Sequence, residues 1–520
     1  MIPFDATGAF HPLAEDSKLR RLAVRGAAAT VSASGLSLAV GVISTVILAR
    51  LLTPADFGVV TMATTFSLLV ASFGLDGFTE AVIQCKEIDH GTASNLFWLN
   101  SLAGLVLAIA FAGTGSLLAR FYGNPLVTHI AVGLSVGIFI AALSVIHLAL
   151  LKRAMRFAAT SANDVGGRLV ITAVSIVLAF SGWGYWALVA GIVAQQLSIT
   201  VGAWWLCRWV PGLPRRTGKT RAMVWFAAKV YGQFIVGYST LNLDNLLVGW
   251  RFNAVALGYY KKAYDLFALT ASQLTTPLHH VALAALSRLT QDLARFRRCL
   301  AGSLGMVSLV GMGASADLTL VGKDVIRLVL GPQWSVAGSI FELLGPGIGA
   351  FLLYSTIGWI HLSVGKPERW LRWTVIQLIG TASFFLIALP WGPEGIAVAW
   401  SVSYWIFVVP AFWYAGRPIG FGVFDFIEAV GRYAAAALLA GVVTAGIFRA
   451  TPFWATAPDA GAALVAIIFM SAVFITLYLG AIILLYGSMA PLHQLEGLLR
   501  ELPLSKRWTK REAEALGEYK

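Results

Sequence analysis

The chain has 520 residues, of which 58% are hydrophobic and only 12% are charged, and its formal net charge is +13 at pH 7. Soluble globular proteins carry about 25% charged residues. This composition excludes an ordinary soluble protein and predicts an all-α polytopic membrane protein.

Apolar runs of about 20 residues, the length at which a helix crosses a bilayer, recur along the whole chain. The first 26 residues are mixed and charged, so they predict a cytoplasmic segment rather than a cleavable signal peptide. Fourteen spans are predicted: 27–51, 57–84, 93–118, 126–150, 161–181, 184–207, 224–250, 258–287, 300–322, 335–362, 371–390, 394–415, 432–450 and 461–486.

Lysine and arginine predict the orientation, because they are enriched in cytoplasmic loops. With a cytoplasmic N-terminus, the inner segments hold 28 of the 38 Lys and Arg residues and the outer segments hold 6. Both termini are therefore predicted to be cytoplasmic. Basic loops that face anionic lipid headgroups account for the net charge without a nucleic-acid partner. The tail 487–520 has leucines at helical spacing and is predicted to lie on the inner surface as an amphipathic helix.

The three cysteines give no sign of a metal or redox site. Cys85, Cys207 and Cys299 lie at predicted cytoplasmic ends and have no CxxC or Cys/His neighbour. Thiols in such places stay reduced, so structural thiols are expected. No metal and no cofactor is predicted.

An internal repeat relates the two halves of the chain. ARLLTPADFGVV at 49–60 matches GWRFNAVALGYY at 249–260, which places Phe57-Gly58 over Leu257-Gly258 at a constant offset. Six spans separate the copies, so they share one orientation and predict two six-helix bundles around a central cavity, as in transporters. Two further matched pairs are 182–197 with 392–406, and 121–125 with 330–334.

The repeat sets the predicted domain boundaries. These are a cytoplasmic segment 1–26, a first bundle 27–208, a basic cytoplasmic linker 209–223, a second bundle 224–415, two extra spans within 416–486, and the tail 487–520.

Four stretches carry a resemblance to a known family: ILARLLTPADFGVVTMATTF, FGLDGFTEAVIQ, NLDNLLVGWRFNAVALGYYKKAYDL and TTPLHHVALAALSRL. They resemble bacterial polysaccharide transporters of the multidrug/oligosaccharidyl-lipid/polysaccharide exporter superfamily, and within it the exopolysaccharide and O-antigen flippases. The resemblance implies two six-helix bundles in a V with two C-terminal helices, in the bacterial inner membrane. It also implies that an undecaprenyl-diphosphate-linked repeat unit moves from the cytoplasmic to the periplasmic leaflet by alternating access.

Such a substrate has a diphosphate, which needs Arg or Lys, or a helix N-terminus. The cations predicted inside spans are Arg168, Lys229, Lys261 and Lys262. Asp265 lies one helical turn after Lys261, so the two can pair on one helix face. The equivalent positions in the first copy of the repeat are uncharged, so this charge cluster belongs to the second bundle.

Polar residues interrupt span 7. At about 100° per residue, Asn242 and Asn245 share a face and Asp244 points away from it. We expect the two asparagines to face the cavity as sugar contacts, and Asp244 to turn towards span 8 and its lysines. The reverse assignment stays open, as does an Asp244–lysine pair that only locks two helices together.

Further candidates lie in the first bundle. Asp76 and Glu80 are one helical turn apart near the inner end of span 2. Arg168 is the best diphosphate contact there, and the alternative is that it snorkels or pairs with Asp164. Weaker candidates are His147, His279, His280, His361, Asp317 and Glu342.

Three other functions are alternatives to a flippase. A cation-coupled multidrug exporter of the same superfamily needs acidic cavity residues to bind a cationic drug. The buried charges here are mixed, which favours an anionic substrate. A lipid II flippase of the same fold stays open, and a membrane enzyme is disfavoured by the short outer loops. The expected partners are the lipid-linked oligosaccharide, membrane lipids, and the polymerase and export machinery, and the chain is expected to act as a monomer and a transporter rather than an enzyme.

Overall fold

The structure is a computed structural model that describes residues 3–5, 7–10, 16–72, 77–85, 87–214, 219–450 and 460–489. Apart from two isolated β-bridges, regular structure in these ranges is helical. The α-helices are α1 (Asp16–Leu51), α2 (Pro54–Ser72), α3 (Thr79–Gln84), α4 (His90–Tyr122), α5 (Leu126–Ala142), α6 (Val145–Arg153), α7 (Phe157–Phe180), α8 (Tyr185–Cys207), α9 (Lys219–Arg251), α10 (Ala254–Arg288), α11 (Leu293–Leu330), α12 (Ser335–Ser355), α13 (Ile357–Ser363), α14 (Pro367–Ala388), α15 (Gly392–Gly416), α16 (Val423–Ala450) and α17 (Ala460–Tyr486). The all-α prediction is confirmed.

The helices are long enough for a multi-pass membrane protein. Among the described residues, 11 helical stretches are long and apolar enough to cross a membrane. One of them, Glu368–Ile419, contains both α14 and α15. The helices α9 and α10 have 33 and 35 residues, which at about 1.5 Å per residue exceeds the bilayer core. The count of fourteen spans stays a prediction.

Contacts between residues divide the chain into two compact units. The first unit consists of Met1–Leu269, Ile326–Phe341 and Leu371–Trp400, and the second of Thr270–Val325, Glu342–Trp370 and Ser401–Lys520. The predicted bundle boundaries stay predictions. The amphipathic tail falls almost entirely outside the described residues.

The repeated motif begins its two helices in the same way. Thr53 caps α2 by accepting a hydrogen bond from the Asp56 amide at Oγ1, at 3.3 Å, and the Thr53 amide donates back to Asp56 Oδ2 at 2.9 Å. Asn253, the equivalent residue in the second copy, caps α10 by accepting a hydrogen bond from the Ala256 amide at 2.9 Å. Such caps satisfy amides that the first helical turn leaves free. Two different residues therefore perform one role in the two copies.

Two glycines pack the copies against each other inside the first unit. A Cβ on Gly58 would overlap the Ala254 carbonyl oxygen, and a Cβ on Gly258 would overlap the Pro54 carbonyl oxygen. Gly58 is equivalent to Gly258 in the repeat, and Pro54 is equivalent to Ala254. The helices α2 and α10 therefore meet through a contact with approximate two-fold symmetry, which supports a parallel repeat.

The end of α4 and the turn after α11 each contact the last turn of a helix that precedes the repeated motif. Trp334 donates its indole N–H to the carbonyl of Ala49, on the last turn of α1, at 2.8 Å. In the other copy the Tyr122 ring packs on Gly249, on the last turn of α9, where a Cβ would lie 2.8 Å from Cε1. Ala49 and Gly249 are equivalent positions of the repeat. The sequence match between 121–125 and 330–334 stays a prediction, because it aligns Trp334 with Pro125 rather than with Tyr122.

Several predicted spans are interrupted in the structure. Span 4 divides into α5 and α6 at Ser144, and span 10 divides into α12 and α13 at Thr356. Each hydroxyl is buried and donates to a carbonyl in the preceding turn, at 2.8 and 2.7 Å. Such local hydrogen bonds compete with the helical ladder. Span 2 was predicted as one helix to residue 84, and the structure describes α2 to Ser72 and α3 from Thr79, while 73–76 lie outside the described residues.

The N-terminal segment covers one end of the first unit. The Phe4 ring is 5% exposed and lies 5.5 Å from the His90 ring and 6.0 Å from the Trp209 ring, between centroids. The His90 amide donates to the Gly8 carbonyl at 2.8 Å. His147 belongs to the same buried aromatic cluster, where its imidazole stacks on Trp204 at 4.4 Å. His147 is therefore a core residue here.

Candidate functional site

A polar cavity of about 290 Å³ lies within the first unit, among α1, α2, α7, α8 and α10. Three charged side chains line it, namely Arg168, Lys262 and Asp265. Hydroxyls also line it: Ser44, Thr45, Thr61, Thr64, Thr172 and Ser175. The structure thus brings three of the predicted site residues together from two distant parts of the chain.

Arg168 enters the cavity from α7. The guanidinium packs so closely on α1 that a Cβ on Gly41 would lie 3.0 Å from Arg168 Nη2. Asp164, one turn earlier, is exposed, and no ion pair forms between these two described side chains. The expected alternative, a local pair with Asp164, is therefore wrong. The Arg168 charge is available to a ligand in the cavity.

Lys262 enters the same cavity from α10 with a different environment. Its side chain is 8% exposed, and Nζ lies 3.9 Å from the centroid of the Phe57 ring, a favourable cation–π distance. Among the described residues, no carboxylate lies within ion-pair distance of Nζ. An aromatic ring stabilises the ammonium without neutralising it.

The neighbouring lysine is neutralised. Lys261 Nζ lies 2.7 Å from Asp265 Oδ1, which confirms that these residues pair as their spacing predicted. Lys261 is not among the cavity residues, whereas Asp265 is. The carboxylate in the cavity is therefore already paired, and the cavity carries a net positive charge from Arg168 and Lys262.

Asp244 is buried against α10, but no lysine side chain that the structure describes lies within ion-pair distance of it. Its side chain is 2% exposed, and Oδ2 accepts a hydrogen bond from the Tyr260 hydroxyl at 2.9 Å. Oδ1 accepts one from the Asn245 amide at 2.7 Å. Asp244 thus turns towards span 8, as expected, while the expected lysine partner is replaced by a tyrosine.

The two asparagines of α9 do not line this cavity. Asn242 donates its Nδ2 to the Tyr238 carbonyl at 3.0 Å, and Asn245 is 1% exposed. Asn245 Nδ2 lies 3.4 Å from Asn242 Oδ1. Both amides thus make contacts within α9, and their assignment as sugar contacts stays a prediction that this cavity does not support.

The remaining candidates are not brought to the cavity either. Glu80 lies on α3 and accepts a hydrogen bond from Gln84 Nε2 at 3.2 Å. Asp76 lies outside the described residues, as do the side chains of Lys229, His279 and His280. Asp317 lies in the second unit, where Oδ2 accepts a hydrogen bond from Ser471 at 3.2 Å.

Sequence reasoning missed Gly41, Phe57 and the hydroxyls. Phe57 had a signal, because it lies in the repeated motif directly before Gly58. The hydroxyls had none, since serine and threonine are common inside membrane helices. Only the packing of α1, α2 and α7 around one space reveals them.

The sequence profile of a family described as "Polysaccharide biosynthesis protein" matches residues 47–338, a range that contains every residue of this cavity except those at 41–45. The chain is similar to "Lipopolysaccharide biosynthesis protein WzxC" of Escherichia coli strain K12, with 22% identity over 332 residues, 63% of this chain and 67% of that protein. It is also similar to "Succinoglycan biosynthesis transport protein ExoT" of Rhizobium meliloti strain 1021, with 22% identity over 335 residues, 64% of this chain and 68% of that protein.

Two solved structures share the fold. "Lipid II flippase MurJ, inward closed conformation" aligns with a TM-score of 0.72 and 16% identity over 88% of this chain and 98% of that chain. "Inward-facing conformation of a multidrug resistance MATE family transporter of the MOP superfamily" aligns with a TM-score of 0.62 and 12% identity over 74% of this chain and 94% of that chain. At these identities the likeness concerns the fold alone.

Proposed function

Because this chain belongs to the family of polysaccharide biosynthesis proteins, we propose that it is a flippase for an undecaprenyl-diphosphate-linked oligosaccharide repeat unit. The unit moves from the cytoplasmic to the periplasmic leaflet of the bacterial inner membrane by alternating access. Both termini are cytoplasmic, and the protein works as a monomer that supplies the polymerase and export machinery.

The observation that carries this proposal is the positive cavity. Arg168 and Lys262 come from separate helices and line one space, and neither forms an ion pair with a described carboxylate. A diphosphate binds to guanidinium and ammonium groups through charge-assisted hydrogen bonds. The two cations lie beside Gly41 and the Phe57 ring rather than beside carboxylates, so both can bind such a group.

The cavity is large enough for only part of the proposed substrate. A volume of about 290 Å³ is near the lower end of the roughly 300–1,000 Å³ range of small-molecule sites. It suits a diphosphate and the sugar next to it, not a whole repeat unit. The hydroxyls on α1, α2 and α7 can accept hydrogen bonds from sugar hydroxyls, although Thr61 and Thr64 already donate to carbonyls of α2. The lipid tail stays in the bilayer.

The charge of the cavity disfavours a cationic drug. Such a substrate would meet Arg168 and Lys262, and the carboxylate among the lining residues, Asp265, already pairs with Lys261. Lipid II shares the undecaprenyl diphosphate, so the cavity does not separate it from an oligosaccharide unit. Only the sugar distinguishes the two, and the experiment must vary it.

The test is transport by Arg168→Gln and Lys262→Gln in a strain that lacks the chromosomal gene. Each variant should lower polymer export by about tenfold or more, because a hydrogen bond to a charged group contributes roughly 1.5–3 kcal/mol. Lipid-linked oligosaccharide should accumulate on the inner leaflet. Arg120→Gln, an exposed arginine on the last turn of α4, is the matched control and should export normally.

Membrane abundance of each variant must be measured beside export. Normal export by a gene deletion, or full activity of both variants at normal abundance, would overturn the proposal. Purified protein in vesicles that flips lipid II but not the oligosaccharide-linked lipid would instead identify a lipid II flippase.

A further inference from the structure

A groove of about 580 Å³ lies in the second unit, apart from the positive cavity. It is formed where α11 begins, α16 begins and α17 ends. The side chains that define this groove are Arg297, Arg298, Asp425, Glu428, Tyr433 and Tyr486. Charged residues beside tyrosines at helix ends are typical of the membrane–water interface. The groove therefore opens at the depth of lipid headgroups.

The charges of the groove are segregated rather than paired. Arg297 and Arg298 lie on α11, while Asp425 and Glu428 lie one turn apart on one face of α16. All four side chains are described and exposed, and no ion pair forms among them. By contrast Arg295, just outside the groove, pairs with Asp292 at 3.2 Å. One wall of the groove is thus cationic and the opposite wall is anionic.

Small residues continue the groove along α11. Ala301, Gly302 and Gly305 follow Arg298 on the same helix face and line the groove. A Cβ on Gly302 would meet nothing within 4 Å, and one on Gly305 would lie 3.6 Å from the Tyr433 ring. The charged mouth therefore continues into a space lined by small apolar residues, which fits a headgroup with its glycerol and the first part of an acyl chain.

We infer that this groove binds a zwitterionic phospholipid of the bilayer whose headgroup is phosphoethanolamine. The phosphate lies against the arginines of α11, and the ammonium lies against the carboxylates of α16. A primary ammonium fits because it donates three hydrogen bonds, which carboxylates accept. A quaternary ammonium would instead need open aromatic faces. Here Tyr433 is 5% exposed, and Arg432 already covers the Tyr486 ring at 4.8 Å.

The transported diphosphate does not fit this groove as well. Asp425 and Glu428 would face its negative charge, whereas the described lining of the positive cavity presents no unpaired carboxylate. A phospholipid with a purely anionic headgroup meets the same repulsion. The zwitterion is the headgroup chemistry that satisfies both walls.

The experiment measures lipid binding to the purified full-length protein in detergent by native mass spectrometry. The probes are dioleoyl phosphatidylethanolamine, phosphatidylglycerol and phosphatidylcholine. The wild type should bind phosphatidylethanolamine most tightly. Arg298→Gln should weaken that binding by about tenfold, the effect of losing one hydrogen bond to a charged group. Glu428→Gln should remove the preference over phosphatidylglycerol, and Glu428→Arg should reverse it.

Two variants separate charge from folding. Arg298→Lys keeps the charge and should retain most of the binding. Arg295→Gln, one turn earlier and paired with Asp292, should bind as the wild type does. The inference is overturned if the wild type prefers phosphatidylglycerol, if Arg298→Gln and Glu428→Gln leave the preferences unchanged, or if an undecaprenyl-diphosphate-linked sugar displaces phosphatidylethanolamine competitively.

Discussion

Asp244 of α9 and Tyr260 of α10 form a buried hydrogen bond of 2.9 Å between carboxylate and phenol. The two helices are consecutive, and Asp244 is only 2% exposed. An aspartate inside a membrane helix costs about 2.5–3.5 kcal/mol on insertion scales. Hydrogen bonds from Tyr260 and from the Asn245 amide offset part of this cost. The contact favours a structural lock over a working group.

Tyr260→Phe tests the lock directly. It leaves a buried carboxylate with one donor fewer, so it should destabilise the protein by about 1–3 kcal/mol. Transport per folded molecule should stay within about twofold of the wild type, because the hydroxyl makes no contact with substrate in this assignment. A direct contribution to transport of only about 1 kcal/mol would already change the rate by about fivefold. Thermal unfolding in detergent and export normalised to membrane abundance are the two measurements.

Asp244→Asn, measured in the same two assays, tests the other partner of this hydrogen bond. An amide of equal size still accepts from Tyr260, so the loss of stability should be smaller. Wild-type stability combined with abolished transport in this variant would make Asp244 a working group and reject the lock.

The adjacent lysines of α10 should respond differently to the same substitution. Lys261 pairs with Asp265 and its side chain is 29% exposed, so Lys261→Gln should change stability by no more than about 1 kcal/mol. It leaves the Asp265 carboxylate unpaired in the positive cavity but removes no cation that lines it, so it should reduce export less than Lys262→Gln does. Lys262 lines the positive cavity, and its ammonium lies over the Phe57 ring, so Lys262→Gln should reduce export strongly. Parallel export assays at matched abundance decide this. Equal effects of the two substitutions would contradict the assignment.

The glycine contact between α2 and α10 should tolerate no side chain. Gly58→Ala and Gly258→Ala each place a methyl group on a carbonyl oxygen of the other helix. Overpacking costs about 1–3 kcal/mol or more, and a backbone atom cannot rotate away as a side chain can. Each variant should therefore lower the unfolding temperature and membrane abundance.

Gly113→Ala is the control for this pair, because a Cβ on Gly113 would meet nothing within 4 Å. It should match or slightly exceed the wild type in stability, since alanine is the better helix former. Similar behaviour of Gly58→Ala and Gly113→Ala would show that α2 and α10 do not approach as closely as described.

The helical class, the repeat and the Lys261–Asp265 pair were predictable because they depend on local spacing. Composition indicates membrane helices, a constant offset between matched motifs reveals the repeat, and two residues one turn apart on a helix are neighbours in any tertiary context. The sequence also gave a signal for the glycine contact, because Gly58 and Gly258 occupy matched positions of the repeated motif.

The rest depends on packing between distant helices. Asp244 could have met Lys261 or Tyr260 on α10, and only the rotation of the two helices selects the tyrosine. The grouping of Arg168 with Lys262 joins residues that are far apart in the chain, which no periodicity encodes. The division of span 4 at Ser144 was also hidden, because the stretch is mostly apolar and the Ser144 hydroxyl donates within its own turn.

The N-terminal segment supplies the last test. Phe4 belongs to the buried cluster that also contains Trp209 and Cys207, and Cys207 is 0% exposed. Phe4→Ala should open this cluster at a cost of up to about 3–5 kcal/mol for a buried phenylalanine. In a Cys85→Ser, Cys299→Ser background, it should therefore accelerate maleimide labelling of Cys207. Phe424→Ala, at a ring that is 87% exposed, should leave the labelling rate unchanged. If Phe4→Ala labels no faster than Phe424→Ala, then the segment does not seal this end of the first unit.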